Sequence, residues 1–80
     1  MEIKNYISCD PTICGGDPVF KGTRIPIYLV LDLIEGGVNI PEIRKRYYPQ
    51  LSEEAIKAAI HYASELIRTN EFVPFNPIEA

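Results

Sequence analysis

Between Cys14 and Pro26 the chain reads CGGDPVFKGTRIP, with three glycines, two prolines, a lysine and an arginine in one short run. Glycine followed by a cation is the raw material of a phosphate cradle, in which backbone amides wrap the phosphate and a lysine reaches its far oxygen. That chemistry needs glycine and then lysine after four free positions, whereas Lys21 here precedes Gly22. The apolar parallel strand that should lead into such a loop is also missing. A tight turn feeding a helix is the better reading, with glycine supplying backbone freedom and proline rigidifying the exits.

Metal binding would draw on Cys9, Cys14 and His61. Structural zinc takes four nitrogen or sulfur ligands, and no second histidine exists to complete the set. Two small, half-buried thiols in a hairpin are expected instead, reduced, with neither metal nor any other cofactor. Acid-base catalysis by His61 would need a positioned partner and a pocket. The sequence puts it opposite much of an apolar helical face, beside Lys57, Ser64 and Glu65, where a solvated histidine is expected. No nucleophile, base and orienter come together, so an enzyme is not expected.

The remaining chemistry is charge. The chain carries a formal net charge of -3, the wrong sign for holding nucleic acid by bulk electrostatics. Its bases are concentrated in the middle, where Lys21, Arg24, Arg44, Lys45 and Arg46 outnumber Asp32, Glu35 and Glu42. Any anion-binding face should use that region.

The elements that would position these groups follow from the pattern of the 80 residues, which make one domain with a small core. Residues 5 to 25 mix β-prone side chains with Asp-Pro and Gly-Gly breaks and predict a short β-turn element. Residues 26 to 68 predict three helices. The first runs from Pro26 to the Gly36-Gly37 stop, with Ile27, Val30, Leu31 and Ile34 at helical spacing. The second starts at Asn39, with Glu42 completing a capping-box pattern and Val38 and Ile43 placed as a staple, and ends before Pro49. Ser52 caps the third, which extends to Arg68; Leu51 and Ile56 form a second staple, and Ala55, Ile56, Ala59, Ile60, Ala63, Leu66 and Ile67 form one apolar face. Residues 69 to 80 predict an extended tail whose Phe72, Val73, Phe75 and Ile78 need a surface, on this chain or on a partner.

Two capped helices with a short connection, preceded by a third, match the layout of a helix-turn-helix unit. In that reading Arg44, Lys45 and Arg46 clamp phosphates, while Gln50, Ser52, Lys57 and His61 face outward near the start of the reading helix. Glu53 and Glu54 count against it, because they meet phosphates at the end that should enter the groove. Unpaired strand edges and the apolar tail predict a homodimer. The first residues carry no secretion signal and no stretch is long and apolar enough for a membrane span, so a cytoplasmic protein without membrane contact is expected.

CGGDPVFKGTRIPIYLVLDLIEGG, followed by IPEIRKRYYPQLSEEAIKAAIHYASEL, resembles the small bacterial and archaeal proteins grouped as domain of unknown function 433 and placed with VapB-type antitoxins. Its most specific parts are Gly15, Gly16 and Pro18, the Lys21 to Pro26 junction, and Tyr48 to Ser52. The resemblance implies a three-helix, homeodomain-like or winged-helix-like bundle with an N-terminal β element, usually dimeric. It also implies a type II toxin-antitoxin role: neutralising a PIN-like ribonuclease toxin and binding operator duplex DNA. Lys21, Arg24, Phe72 and Phe75 are then the expected partner-binding residues. The alternative is a protein-only adaptor that does not bind DNA by itself.

Overall fold

The computed structural model describes residues 2–69. A turn of 3-10 helix at Ile3–Asn5 leads into β1 (Ile7–Ser8), which pairs antiparallel with β2 (Val19–Phe20) through Ile7 against Phe20 and Ser8 against Val19. Pro18, which cannot donate to a ladder, stands directly before β2 and bounds it on that side. Between the strands the chain closes a turn at Asp10–Ile13 and a second 3-10 turn at Cys14–Gly16. Three successive residues there have positive φ: Cys14 at 51°, Gly15 at 67° and Gly16 at 91°. The two glycines adopt this at no steric cost, whereas Cys14 sits where a side chain is uncommon.

After β2 the chain reverses once more. The Phe20 amide donates to the Ile25 carbonyl at 3.0 Å and Val19 bridges Pro26, while the Thr23 hydroxyl ties the bend by donating to the Phe20 carbonyl at 2.7 Å. This places Lys21 and Arg24 on an exposed bend immediately before α1 (Ile27–Glu35). The run from Cys14 to Pro26 is therefore a double turn that launches a helix. Pro26 serves as the N-cap residue of α1, one position before the first turn where the sequence suggested it.

The second helix begins at Ile40–Glu42 (α2) and continues directly as a π turn over Ile43–Tyr47, closed by the Tyr48 amide donating to the Ile43 carbonyl at 2.8 Å. Helix α3 spans Glu53–Thr69. Both caps expected from the sequence are formed: Asn39 Oδ1 accepts the Glu42 amide at 2.9 Å, and Ser52 Oγ accepts the Ala55 amide at 3.1 Å. Both staples are seated too, with Ile43, Leu51 and Ile56 buried and Val38 partly so.

The described residues are thus mostly helical, with three helices and a small antiparallel sheet at their N-terminal end, in keeping with a small helical bundle. Its core joins Ile7 and Phe20 of the sheet, Ile27 and Val30 of α1, Ile43, Leu51, and the inner face of α3. Phe20, Ile43, Ile56, Val19 and Val30 are the largest side chains almost wholly removed from water, each contributing about 1.5–3 kcal/mol of transfer free energy. Among the described residues no helix is long and apolar enough to cross a membrane.

Candidate functional site

The basic segment lies on the π turn, where Arg44, Lys45, Arg46 and Tyr47 are all exposed. Exposure does not leave the charges unengaged. Arg44 turns back over the α2–α3 connection and donates from Nε to the Leu51 carbonyl at 3.0 Å, so its guanidinium fixes the angle at which α3 begins. Arg46 Nε meets Glu42 Oε1 at 2.9 Å. Glu42 thereby gives its carboxylate to Arg46 and not to the Asn39 amide, so the expected capping box is only half formed, the Glu42 amide serving the Asn39 cap while the reciprocal bond is missing. Lys45 has no ion-pair partner among the described residues.

The outward-facing residues of the connection and of α3 fare similarly. Gln50 is exposed at the turn, and the Ser52 hydroxyl is committed to the helix cap. Lys57 Nζ lies 3.9 Å from Glu53 Oε2. The two glutamate-to-cation pairs, 42 with 46 and 53 with 57, stand four residues apart with the acid first, the spacing that favours such pairs on a helix. That signal was available in the sequence; the Arg44 bond, spanning seven residues across a turn, was not.

His61 stands at the surface of α3, partly exposed to solvent. Its side chain is 38% exposed, 3.9 Å from Glu65 Oε1. It shares with Lys57, Ile60 and Ser64 the lining of an open depression of about 420 Å³ on the outer side of α3. Those positions recur every three or four residues and so form one stripe along the helix.

The expected apolar face of α3 divides in two. Ala55, Ile56 and Ala59 are buried as foreseen, joined by Ala58. Ile60, Leu66 and Ile67 are instead 41%, 44% and 73% exposed. The helix keeps its amphipathic spacing beyond the point at which the small core can cover it. These three side chains were missed as a surface because periodicity reports that a face is apolar, not what lies against it.

Of the residues expected to contact a partner, Lys21 donates from Nζ to the Lys4 carbonyl at 3.4 Å. Arg24 is exposed with no ion pair among the described residues. Phe72 and Phe75 lie outside the described residues.

Both cysteines are free and exposed, not half-buried as expected: Cys9 follows the end of β1 and Cys14 stands in the turn between the strands, outside the core. The Cys14 thiol donates to the Arg24 carbonyl at 3.4 Å. Burial, reinforced by the neighbouring Cys9 thiol, raises the Tyr62 hydroxyl above its ordinary pKa. The Asp10 carboxyl is held below its ordinary value by the Thr12 hydroxyl and then by the Thr12 amide. Among the described residues no three of His, Cys, Asp and Glu gather where they could hold a metal ion, and no polar side chain is buried. What this surface can do is make contacts: apolar ones from the far half of α3, ionic ones from Lys45 and Arg24.

Comparison with known proteins places these features. The family profile described as "Protein of unknown function (DUF433)" matches residues 7–63. An uncharacterized protein, y4eO, of Sinorhizobium fredii (strain NBRC 101917 / NGR234) is 33% identical over 60 residues. That match takes in 75% of this chain but only 27% of the relative, so the chain spans about a quarter of its length. The crystal structure of a DUF433 member protein from Anabaena variabilis ATCC 29413 superposes with a TM-score of 0.70 at 32% identity, covering 79% of this chain and 61% of that one.

Proposed function

The chain belongs to the DUF433 family of proteins of unknown function, and from that premise we propose that it is a protein-binding module of the antitoxin kind. Its far α3 half is the face that engages a PIN-like ribonuclease. The observation that carries the reading is the exposure of Ile60, Leu66 and Ile67 on a helix whose other apolar residues are buried. Apolar side chains standing together on a surface favour association, at about 25 cal/mol per Å² removed from water. The antitoxin part rests on the family resemblance.

The test is co-expression with a PIN-like ribonuclease from the same genome, followed by size-exclusion chromatography and an RNA-cleavage assay. The reading expects a stable complex with suppressed cleavage, both lost in the Ile60→Glu/Ile67→Glu double variant. A ribonuclease unimpeded by an equimolar amount of the wild-type chain would sink the antitoxin role.

A second reading, operator binding by α2 and α3, is favoured by the exposure of Arg44, Lys45 and Arg46 beside the interhelical turn. With Arg44 and Arg46 held by Leu51 and Glu42, one chain offers little positive charge there, so a homodimer presenting two such segments is part of this reading. Anisotropy against duplex DNA from upstream of the gene, across a salt series, tests it: log affinity should fall with log salt at a slope near -0.9 per neutralised phosphate. No binding at low salt would leave the protein-only adaptor.

A further inference from the structure

The two consecutive tyrosines where the π turn ends have opposite surroundings. Tyr48 packs against the core, whereas Tyr47 is 48% exposed and takes no part in it. Ahead of Tyr47 stand Arg44, Lys45 and Arg46, also exposed, and then Ile43, which is wholly buried. Four consecutive residues of a regular helix sweep about 300°, so a helix lying along a core turns at least one of them inward. Here all four are at the surface, with the turn anchored by Ile43 at one end and Tyr48 at the other. Turns of this rare kind recur at functional sites.

The cations of the segment are held in place yet keep most of their donors. Arg44 commits one of the five N–H groups of its guanidinium, that on Nε, and commits it to a neutral carbonyl, so its charge stands uncompensated. Arg46 likewise engages through Nε, with the Glu42 carboxylate. The Nη groups of both arginines make no bond among the described residues, and Lys45 enters no ion pair there. Three cations are therefore set against one carboxylate, and the four exposed residues span at most about 11 Å of chain.

Cations beside an exposed aromatic ring are the chemistry that holds single-stranded nucleic acid: phosphates meet the cations, and an unpaired base stacks on the ring. A duplex keeps its bases paired and offers that ring nothing to stack on. Glu53 and Glu54 disfavour a duplex further, because they occupy the first turn of α3, the end that would enter a groove. We propose that the π turn binds an unpaired stretch of nucleic acid, one base stacking on Tyr47 while the flanking phosphates meet Lys45 and the Nη groups of Arg44 and Arg46. Contacts to a base face and to phosphates read neither sequence nor sugar, so RNA and DNA single strands are both ligands. The site goes beyond both readings above, since the ribonuclease contact uses the far half of α3 and operator binding requires a duplex.

Fluorescence anisotropy of the full chain against labelled polyuridylate, polydeoxythymidylate and a mixed-sequence DNA duplex, across a salt series, tests the site, with circular dichroism to confirm that each variant is folded. The two single strands should bind within about two-fold of each other and about five-fold or more tighter than the duplex. Log affinity for them should fall with log salt at a slope near -0.7 per neutralised phosphate, and Lys45→Ala should reduce the slope by about that amount. Tyr47→Ala should weaken both single strands about ten-fold, while Tyr47→Phe, which keeps the ring and loses the hydroxyl, should stay within about two-fold of the wild type. Single strands that fail to bind at low salt, a duplex bound as tightly as they are, or a requirement for one sugar would each overturn the site. So would a folded Tyr47→Ala variant of undiminished affinity, or a Tyr47→Phe variant as weak as Tyr47→Ala. The ribonuclease complex, measured separately, should survive Tyr47→Ala, so either proposal can fail without the other.

Discussion

The two halves of α3 share one helix and one apolar period yet have opposite fates. From Ala55 to Ala59 the helix is pressed against Ile43, Leu51 and the sheet, with Ile56, Ala58 and Ala59 wholly buried. From Ile60 onward large apolar side chains return to solvent, Ile67 most of all. The difference is set by the amount of core, not by the helix. The described residues put too little behind α3 to cover its 17 helical positions on their apolar side. Where the core ends, the same pattern that stabilises the fold becomes a surface able to bind.

If the near half carries the stability, its central residue should show the largest effect. Ile56→Ala leaves a cavity among Ile43, Leu51 and the sheet and should cost about 2–5 kcal/mol, enough to unfold a marginal domain. Urea denaturation with far-ultraviolet circular dichroism would show it as a fall in midpoint at unchanged slope. A loss below that range would mean that the two halves differ less than their burial implies.

Arg44→Ala comes next. Its Nε bond to the Leu51 carbonyl holds the connection from which α3 starts, and removing a charged donor to a part-buried carbonyl should cost about 1–2 kcal/mol. Arg46→Ala, which loses only the exposed pair with Glu42, should cost a few tenths of a kcal/mol. Equal losses in the two variants would remove Arg44 from its structural role and return it to the set of cations available to DNA. Ser52→Ala, which deletes the cap at the near end of α3, should cost about 1 kcal/mol.

How far this was legible in the sequence divides along the same line. Caps and staples are local: Asn39, Ser52, Val38 with Ile43, and Leu51 with Ile56 can be read from spacing alone, and each is found in place. The π turn could not be read. Its closing bond needs Tyr48 to reach back to Ile43, with Pro49 ending the helix just beyond; composition does not distinguish that outcome from an ordinary helical end. The basic segment was legible as charge but not as engaged charge, because the Arg44 bond joins residues on opposite sides of a turn. The apolar face of α3 was legible as periodicity, while its division at Ile60 depends on how much of the rest of the chain folds against it.

The smallest effect on stability is expected from Ile67→Glu, and it separates the halves most directly. Ile67 is 73% exposed, so a charge there meets water on most sides and should change stability by no more than about 0.5 kcal/mol. The same substitution placed at Ile56, 0% exposed, would bury an unpaired carboxylate and should abolish folding. If the far half is a binding surface, Ile67→Glu should preserve the urea midpoint and yet weaken the ribonuclease complex about ten-fold or more, since a carboxylate desolvated in an apolar contact has nothing to pair with. A fall in the urea midpoint would show that the far half belongs to the fold. An unchanged midpoint with unchanged binding would place the contact elsewhere, because the most exposed large apolar residue among those described could not then be part of it.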